Sequence, residues 1–545
     1  MVYMKDGKVT EGGKKFAGAV VEVLELEGVK YIFGHPGEQI LPFYEALRRS
    51  NIKHILMRHE QGAAHAADAY ARISGKFGVC IASAGPGALN LTMGVATAYK
   101  DSVPLLVITG DVPSAMKGCD AFQEVDTSTV FEPITIRSSN IKNPEEGILK
   151  LKEAIELIRQ NKTGPVHLSI PRDVWDEEID YSKVKEVSLP DQMDAEELNE
   201  NIGQAIKLLE KAQRPLIIAG AGIFWSKSLK KLLNFANKNK IPVSTTYHAR
   251  GIFPDDNPLF LGMIGVRGTE ASQFAGKNAD VILALGARLS ERTMTGVGPC
   301  RIIQVNLDKK SLKGDINIEE DVGAFLDRMV DLNVRDSSNW LDELAEYARY
   351  YEIDTSFDDI PVKPQRAIKE ILDATEDSIV VDDAGSHTTW VTLLQKIKEP
   401  GTFIFSGGFA PMGYAIPASV GAALAKPGKT VVVIVGDGGF QMTLQELATI
   451  SELKLPVTVC LLNNSSLGII KQWQKMHYGD TYQVELQNPD FTKLAESYGI
   501  KAIRLNSPGE IYPAVKKAVE LGKPYFIEVV VDKDEEVPLP SWFIK

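Results

Sequence analysis

A chain of 545 residues is too long for one hydrophobic core and is predicted to divide into three or four domains. Its composition, 44% hydrophobic and 24% charged, is that of an ordinary globular protein. A formal net charge of -12 argues against a broad nucleic-acid or anionic-membrane surface, so an anionic ligand needs a local device such as a helix N-terminus or a metal ion.

The charged opening stretch MVYMKDGKVTEGGKK lacks the apolar centre of a signal peptide, and no run approaches the roughly 18 apolar residues that span a bilayer. Cys80, Cys119, Cys300 and Cys460 lie far apart without a CxxC pair, which suits a reducing cytoplasm and offers neither a zinc site nor a disulfide framework. The expectation is a soluble cytoplasmic protein.

Short apolar, β-branched runs recur along the chain. They are VKYIFG (29–34), KHILM (53–57), GVCIASAG (78–85), PLLVITG (104–110) and PVHLSIP (165–171), then RPLIIAGAG (214–222), ADVILALG (279–286) and IIQVNL (302–307). The last group is SIVVDDAG (378–385), KTVVVIVGDGG (429–439), PVTVCLLNN (456–464) and PYFIEVVV (524–531). Continuous rather than alternating hydrophobicity marks strands covered on both faces, hence parallel sheets flanked by helices. The Ala-rich stretch 62–74 reads as a closely packed helix. Polar, acidic stretches near 174–200 and 333–365 separate three strand-rich blocks. The fold class is therefore α/β, with three doubly wound parallel-sheet domains at 1–180, 195–340 and 360–545. Ligands of such sheets sit at the carboxyl ends of strands.

Gly436-Asp437-Gly438, followed after 24 residues by Asn463-Asn464, closes two strong strands at one sheet edge. Asp437 supplies a carboxylate oxygen and Asn464 an amide oxygen, the ligand types Mg²⁺ takes, with room left for diphosphate oxygens. Gly436, Gly438 and Gly439 let the backbone approach an anion, ahead of a helix expected to begin near Thr443. Alone, GDG reads more often as a tight strand-to-helix turn and NN as a polar loop; together, at this spacing and after matched strands, they read as a metal-diphosphate site. Glu60, after KHILM, reads by itself as a helix cap or an ion-paired group.

GDGGF…NN resembles the diphosphate motif of thiamine-diphosphate enzymes, and nearly the whole chain resembles the catalytic subunits of acetohydroxyacid (acetolactate) synthases. The resemblance implies a pyrimidine-binding first domain, a middle domain and a diphosphate-binding third domain, with Mg²⁺ held by Asp437, Asn464 and the main-chain carbonyl of Ser466. It places Ser386 and His387 of DDAGSHTTW at the diphosphate, although the family more often has Gln before that His. It gives Glu60 the task of bonding the aminopyrimidine N1′, and Met412 of GGFAPMGYAIPASVGAA that of propping the bent cofactor, a role compatible with simple core packing.

GCDAFQE (118–124) resembles the family's GTDAFQE, so Phe122 and Gln123 are expected at the substrate, with Gly37 of GHPGEQILPFYEAL. Trp473 matches a tryptophan that favours 2-oxobutanoate as second substrate, or is simply a helix aromatic. RPLIIAGAGI, GMIGVRG and GARLSERTMTG resemble segments around a non-redox FAD, making Arg267, Arg288 and Arg292 flavin candidates; a flavin-free middle domain is the alternative. Glu38, Ile136, Arg137, Ile469 and the SWFIK end depart from the family pattern.

The activity so implied joins two 2-oxo acids, pyruvate with pyruvate giving 2-acetolactate, within branched-chain amino acid biosynthesis. A flavin-linked pyruvate oxidase and a simple 2-oxo acid decarboxylase are the alternatives. The partners implied are 2-oxo acids, a second copy of the chain in a homodimer or homotetramer with active sites at the subunit interface, Glu60 coming from one chain and Asp437 from the other, and a regulatory subunit, with no nucleic acid and no membrane.

Overall fold

A computed structural model describes residues 14–159, 164–184, 187, 195–335, 337–349, 353–397 and 399–538; the first thirteen residues, part of the 174–200 boundary and the SWFIK end lie outside the described residues. The described chain builds three six-stranded sheets. The first contains β1 (Tyr31–Gly34), β2 (Lys53–Leu56), β3 (Gly78–Ala82), β4 (Leu105–Asp111), β5 (Arg137–Asn140) and β6 (Pro165–Pro171). The second contains β7 (Pro215–Ala219), β8 (Val243–Thr245), β9 (Phe260–Met263), β10 (Val281–Leu285), β11 (Arg301–Val305) and β12 (Ile316–Ile318). The third contains β13 (Ile379–Asp382), β14 (Phe403–Ile404), β15 (Val431–Gly436), β16 (Val457–Asn463), β17 (Lys501–Leu505) and β18 (Tyr525–Val530). All the ladders joining these strands are parallel, as two-sided hydrophobicity requires.

The spatial orders are β2-β1-β3-β4-β6-β5, β12-β11-β10-β7-β8-β9 and β14-β13-β15-β16-β18-β17. Each sheet therefore has a reversal between neighbouring strands near its middle, at β1 and β3, at β10 and β7, and at β13 and β15; in the first and third sheets β6 and β18 turn back a second time, inside the edge strands β5 and β17. Crevices open at the carboxyl ends of strands flanking such a reversal, because the two loops there run to opposite faces of the sheet. The expected sites fall at two of these three points.

The chain forms two compact units, one holding the first sheet and the other holding the second and third. In the first unit, Trp175 lies fully buried against Phe16 and Phe43, with ring centroids 5.5 and 5.4 Å away. The Ala-rich helix runs Glu60–Ser74. A β-carbon on Gly94 would fall 2.4 Å from that of Ala64, so small residues let these helices touch. In the second unit, the helix Ser338–Arg349, within the expected second boundary, covers the middle sheet: the Trp340 indole N–H donates to the Pro215 carbonyl at 3.2 Å. Among the described residues no helix is long and apolar enough to cross a membrane.

The helix expected near Thr443 begins earlier, at Asp437, and ends at Thr443. Gly436 is extended and the glycines that follow impose no β-carbon on the first turn, so the chain passes from strand to helix without a loop.

Candidate active site

Three adjacent strand ends build the cradle of the third sheet. β13 leads through Asp383-Ala384-Gly385-Ser386 into the helix His387–Leu394, and β15 leads directly into the helix Asp437–Thr443. β16 leads through Asn464-Ser465-Ser466 into the helix Gly468–Tyr478. A β-carbon on Gly468 would sit 2.8 Å from Asn464 Nδ2 and 3.1 Å from Ser386 Oγ, which brings those two side chains to one point. On Gly438 it would meet Leu467 at 2.9 Å and Met412 Cε at 3.1 Å. On Gly436 and Gly439 it would approach His387 Nδ1 at 3.4 Å and Asp383 Oδ1 at 2.9 Å. Ser386, His387, Met412, Gly436, Asp437, Gly438, Gly439, Asn464 and Ser466 thus converge at the β13/β15 switch point.

Asp437 is buried, and burial pushes its carboxyl up to about 6 despite the hydrogen bond that Asn488 Nδ2 donates to its Oδ2 at 2.6 Å. The same amide donates to Asn463 Oδ1 at 3.0 Å. Asn464 Oδ1 accepts from the Ser466 amide at 3.2 Å, and the Ser466 hydroxyl is buried without a hydrogen-bond partner among the described residues. A buried carboxylate beside an amide oxygen and main-chain carbonyls is a donor set that fits a hard divalent cation. A cation there would also answer the burial that disfavours the Asp437 charge.

Sequence reasoning missed two residues. Asp383 accepts from the amides of Ala384 (2.8 Å), Gly413 (2.9 Å) and Ala415 (2.8 Å), tying the Met412 loop to the end of β13; burial pushes its carboxyl up to about 6. Asn488 braces Asp437 from 51 residues away. An acidic residue at a strand end was a visible signal for Asp383; nothing in the QNPD stretch distinguishes Asn488.

In the first unit, Glu60 opens its helix and accepts from Asn90 Nδ2 at 3.0 Å. A β-carbon on Gly87 would lie 3.2 Å from Glu60 Oε1, and one on Gly37 would collide with that of Ser83 at 2.4 Å. One on Gly85 would meet the Gln123 carbonyl at 2.4 Å. Gly37, Glu60 and Gln123 therefore surround the Ser83–Gly87 turn at the β1/β3 switch point. The Phe122 side chain is 77% exposed and Gln123 has φ of 65°. The loop is drawn tight by Glu124, which accepts from the Gly118 and Ala121 amides; those bonds lower its pKa. Lys117 anchors the loop through Asp111 (2.7 Å) and Asn140 (2.8 Å). Glu38 is exposed, Arg137 pairs with Glu153 at 2.8 Å and Ile136 packs near Gly164. Burial and the charge of Glu60 both raise the Tyr44 phenol.

The remaining candidates lie elsewhere in the second unit. Trp473 is half-buried on the helix after the Asn464–Ser466 loop, stacked on His477 with centroids 5.8 Å apart. The Arg292 carbonyl accepts from Val266 at 2.9 Å, within the Gly265 turn, and Arg288 follows β10. At the β7/β10 switch point the glycines are spent on one another: a β-carbon on Gly220 would fall 2.2 Å from the Gly286 carbonyl oxygen, and the Gly222 amide donates to that oxygen.

Family models match all three sheets: the N-terminal thiamine pyrophosphate binding domain over 14–130, the central domain of these enzymes over 202–329 and the C-terminal thiamine pyrophosphate binding domain over 383–529. A probable acetolactate synthase large subunit of Methanocaldococcus jannaschii is 41% identical, covering 96% of this chain and 93% of its own. The acetolactate synthase large subunits of Lactococcus lactis and Corynebacterium glutamicum are 38% and 36% identical, over 95% and 96% of this chain and 92% and 87% of theirs. With its Asp437–Asn464 cradle on the third of three parallel sheets, the chain belongs to the thiamine pyrophosphate enzymes, among the relatives of the acetolactate synthase large subunits.

Proposed function

We propose that the protein is an acetolactate synthase: it decarboxylates pyruvate and joins the two-carbon fragment to a second 2-oxo acid, giving 2-acetolactate from two pyruvates. The convergence of Asp437, Asn464, Ser466, Ser386 and Met412 at one switch point carries this reading, with the relatives' identity behind it. Thiamine diphosphate, when bound, supplies the electron sink that accepts the electrons left as CO₂ departs. Asp437, Asn464 and the Ser466 carbonyl hold Mg²⁺, and Ser386, His387, Gly436, Gly438 and Gly439 hold the diphosphate. Met412, whose Cε lies near Gly438, would pack against the bound cofactor. Glu60 holds and exchanges the proton at the aminopyrimidine N1′. Phe122, Gln123 and Gly37 orient the substrate, and Trp473 shapes the pocket for the second one.

The three domains of the proposal are 1–180, 195–340 and 360–545. FAD is the further cofactor of the reading, with Arg267, Arg288 and Arg292 as its candidate partners, and the visible absorbance of the purified protein tests it: a flavin spectrum supports that assignment and a colourless protein removes it. A homodimer or homotetramer, a smaller regulatory partner of the kind the name large subunit implies, and a cytoplasmic location complete the reading.

Product analysis with pyruvate, thiamine diphosphate and Mg²⁺, with and without an artificial electron acceptor, tests it. Acetolactate formed at one per CO₂, independent of acceptor, is expected. Acetaldehyde would establish a decarboxylase instead, and acetate formed only with acceptor an oxidase.

A further inference from the structure

The third sheet carries another carboxylate at its switch point that none of these roles uses. Asp382 ends β13 fully buried, and the backbone of the adjacent Asp383 is the hydrogen-bonding group that acts on its carboxyl. His387 Nε2, without a hydrogen bond among the described residues, lies 3.5 Å from Asp382 Oδ1, a length at the outer limit of a useful contact. A carboxylate buried with so little compensation is costly, so its surroundings must answer it.

They do so from two sides. Arg250 and Arg267, both from the middle domain, act favourably on the Asp382 charge. Arg250 is fixed there, its Nη2 donating to the carbonyls of Thr392 (3.1 Å) and Gln395 (3.3 Å) with the guanidinium 4.5 Å over the Phe403 ring. On the other side stands the His387 ring. Its Nδ1 edge backs the two turns of the cradle, where a β-carbon would come within 2.6 Å on Gly385 and 3.4 Å on Gly436, and it interacts with the Asp383 carbonyl. Burial, with Asp383 beside it, raises the Asp382 pKa, and burial lowers that of His387 to about 4. A neutral pair satisfies both edges in one way: Nδ1–H donates to the Asp383 carbonyl while Nε2 accepts from the Asp382 acid.

We propose that Asp382 is a positioning residue for the diphosphate end of the site, acting through His387, whose ring plane and tautomer it fixes behind Gly385 and Gly436. This rests on the reading of the cradle as the diphosphate site. Replacing Asp382 by Ala removes the donor to Nε2, whereas Asp382→Asn keeps one. By calorimetry on the full chain with Mg²⁺, Asp382→Ala is expected to weaken thiamine diphosphate binding about tenfold, the lower end of what loss of such a supporting partner costs, while kcat at saturating cofactor stays within about threefold. Asp382→Asn should restore affinity to within about threefold, and Asp382→Ala should add less than about twofold in a His387→Ala background.

A second readout needs no cofactor. In ¹⁵N-histidine spectra of the apo protein, with the His387 signal identified by its loss in His387→Gln, Asp382→Ala should shift the ring from a single Nδ1–H tautomer to a mixture. An unchanged ring signal, unchanged affinity in Asp382→Ala, or fully additive losses in the double variant would each overturn the proposal. Should the wild-type chain bind no thiamine diphosphate, the functional reading fails, and the ring signal still decides whether Asp382 orients His387.

Discussion

The sharpest perturbation of the proposed metal site is remote from it in sequence. Asn488 gives one amide to two acceptors, Asp437 Oδ2 at 2.6 Å and Asn463 Oδ1 at 3.0 Å. The first is a bond to a charged group, worth about 1.5–3 kcal/mol, and the second a neutral one worth about 1 kcal/mol. Asn488 is half-buried, so water can recover part of this in Asn488→Ala. The Asp437 carboxylate would then be held by main-chain bonds alone, from Gly438 and Ser465 among others, and its orientation would be less sharply fixed. Supporting residues of this kind typically contribute 10- to 100-fold in metal affinity. We expect Asn488→Ala to weaken Mg²⁺-dependent thiamine diphosphate binding by about 10- to 50-fold, or about 1.4–2.3 kcal/mol. Titration calorimetry on the full-length variant, with its thermal transition as a folding control, measures this. Affinity within about twofold of wild type in a folded variant would refute the claim that Asn488 orients the ligand.

Glu60→Gln should leave cofactor affinity within about tenfold while turnover falls by at least about 100-fold; near-normal turnover would remove the proton-relay role. Asp437→Ala should abolish Mg²⁺-dependent cofactor binding, and unchanged calorimetric affinity would dismiss the metal site. Gly438→Ala places a methyl 2.9 Å from Leu467 and 3.1 Å from Met412, so cofactor affinity should fall with little change in thermal stability. A titration test concerns His167, whose pKa burial lowers to about 3 while its ring nitrogens bond Thr109 (2.9 Å) and Ser138 (2.8 Å). Its unfolded value is near 6.5, so the unfolded chain binds the extra proton between those limits: the contribution is fully present above about pH 6.5 and lost as pH falls toward about 3, by up to about 1.4 kcal/mol per pH unit. The stability difference between wild type and His167→Gln, followed by urea unfolding from pH 7 to pH 5, should shrink as pH falls; a constant difference would show that His167 is not buried neutral.

Strand identity was legible wherever a strand is covered on both faces. Of the twelve inner strands, the apolar runs located all but β8, whose three residues Val243–Thr245 are too few to form a run. The edge strands β5, β9, β12, β14 and β17 escaped notice. Such strands have one neighbour and are short or solvent-facing, as in Arg137–Asn140 or Lys501–Leu505, so they need no continuous apolar stretch. Asp437 and Asn464 stood out because each follows a strong strand, and strand ends are where ligand-binding loops emerge; Glu60 follows the short, partly exposed edge strand β2, and the family resemblance alone singled it out.

Sequence by itself thus determined the α/β class, the parallel sheets and the residue types of the cradle, since these depend on local hydrophobicity and on short spacings along the chain. Only the tertiary structure decided the strand order that makes β13 and β15 flank a reversal, and so which loops face one another there. It alone set Asp383 against Gly413 and Ala415, Asn488 against Asp437, and Asp382 against His387. Most of these contacts join residues 30 or more positions apart, and the Asp382–His387 contact depends on how one strand end turns into its helix. Backbone geometry and packing bring such groups together, and neither leaves a periodic trace in the sequence.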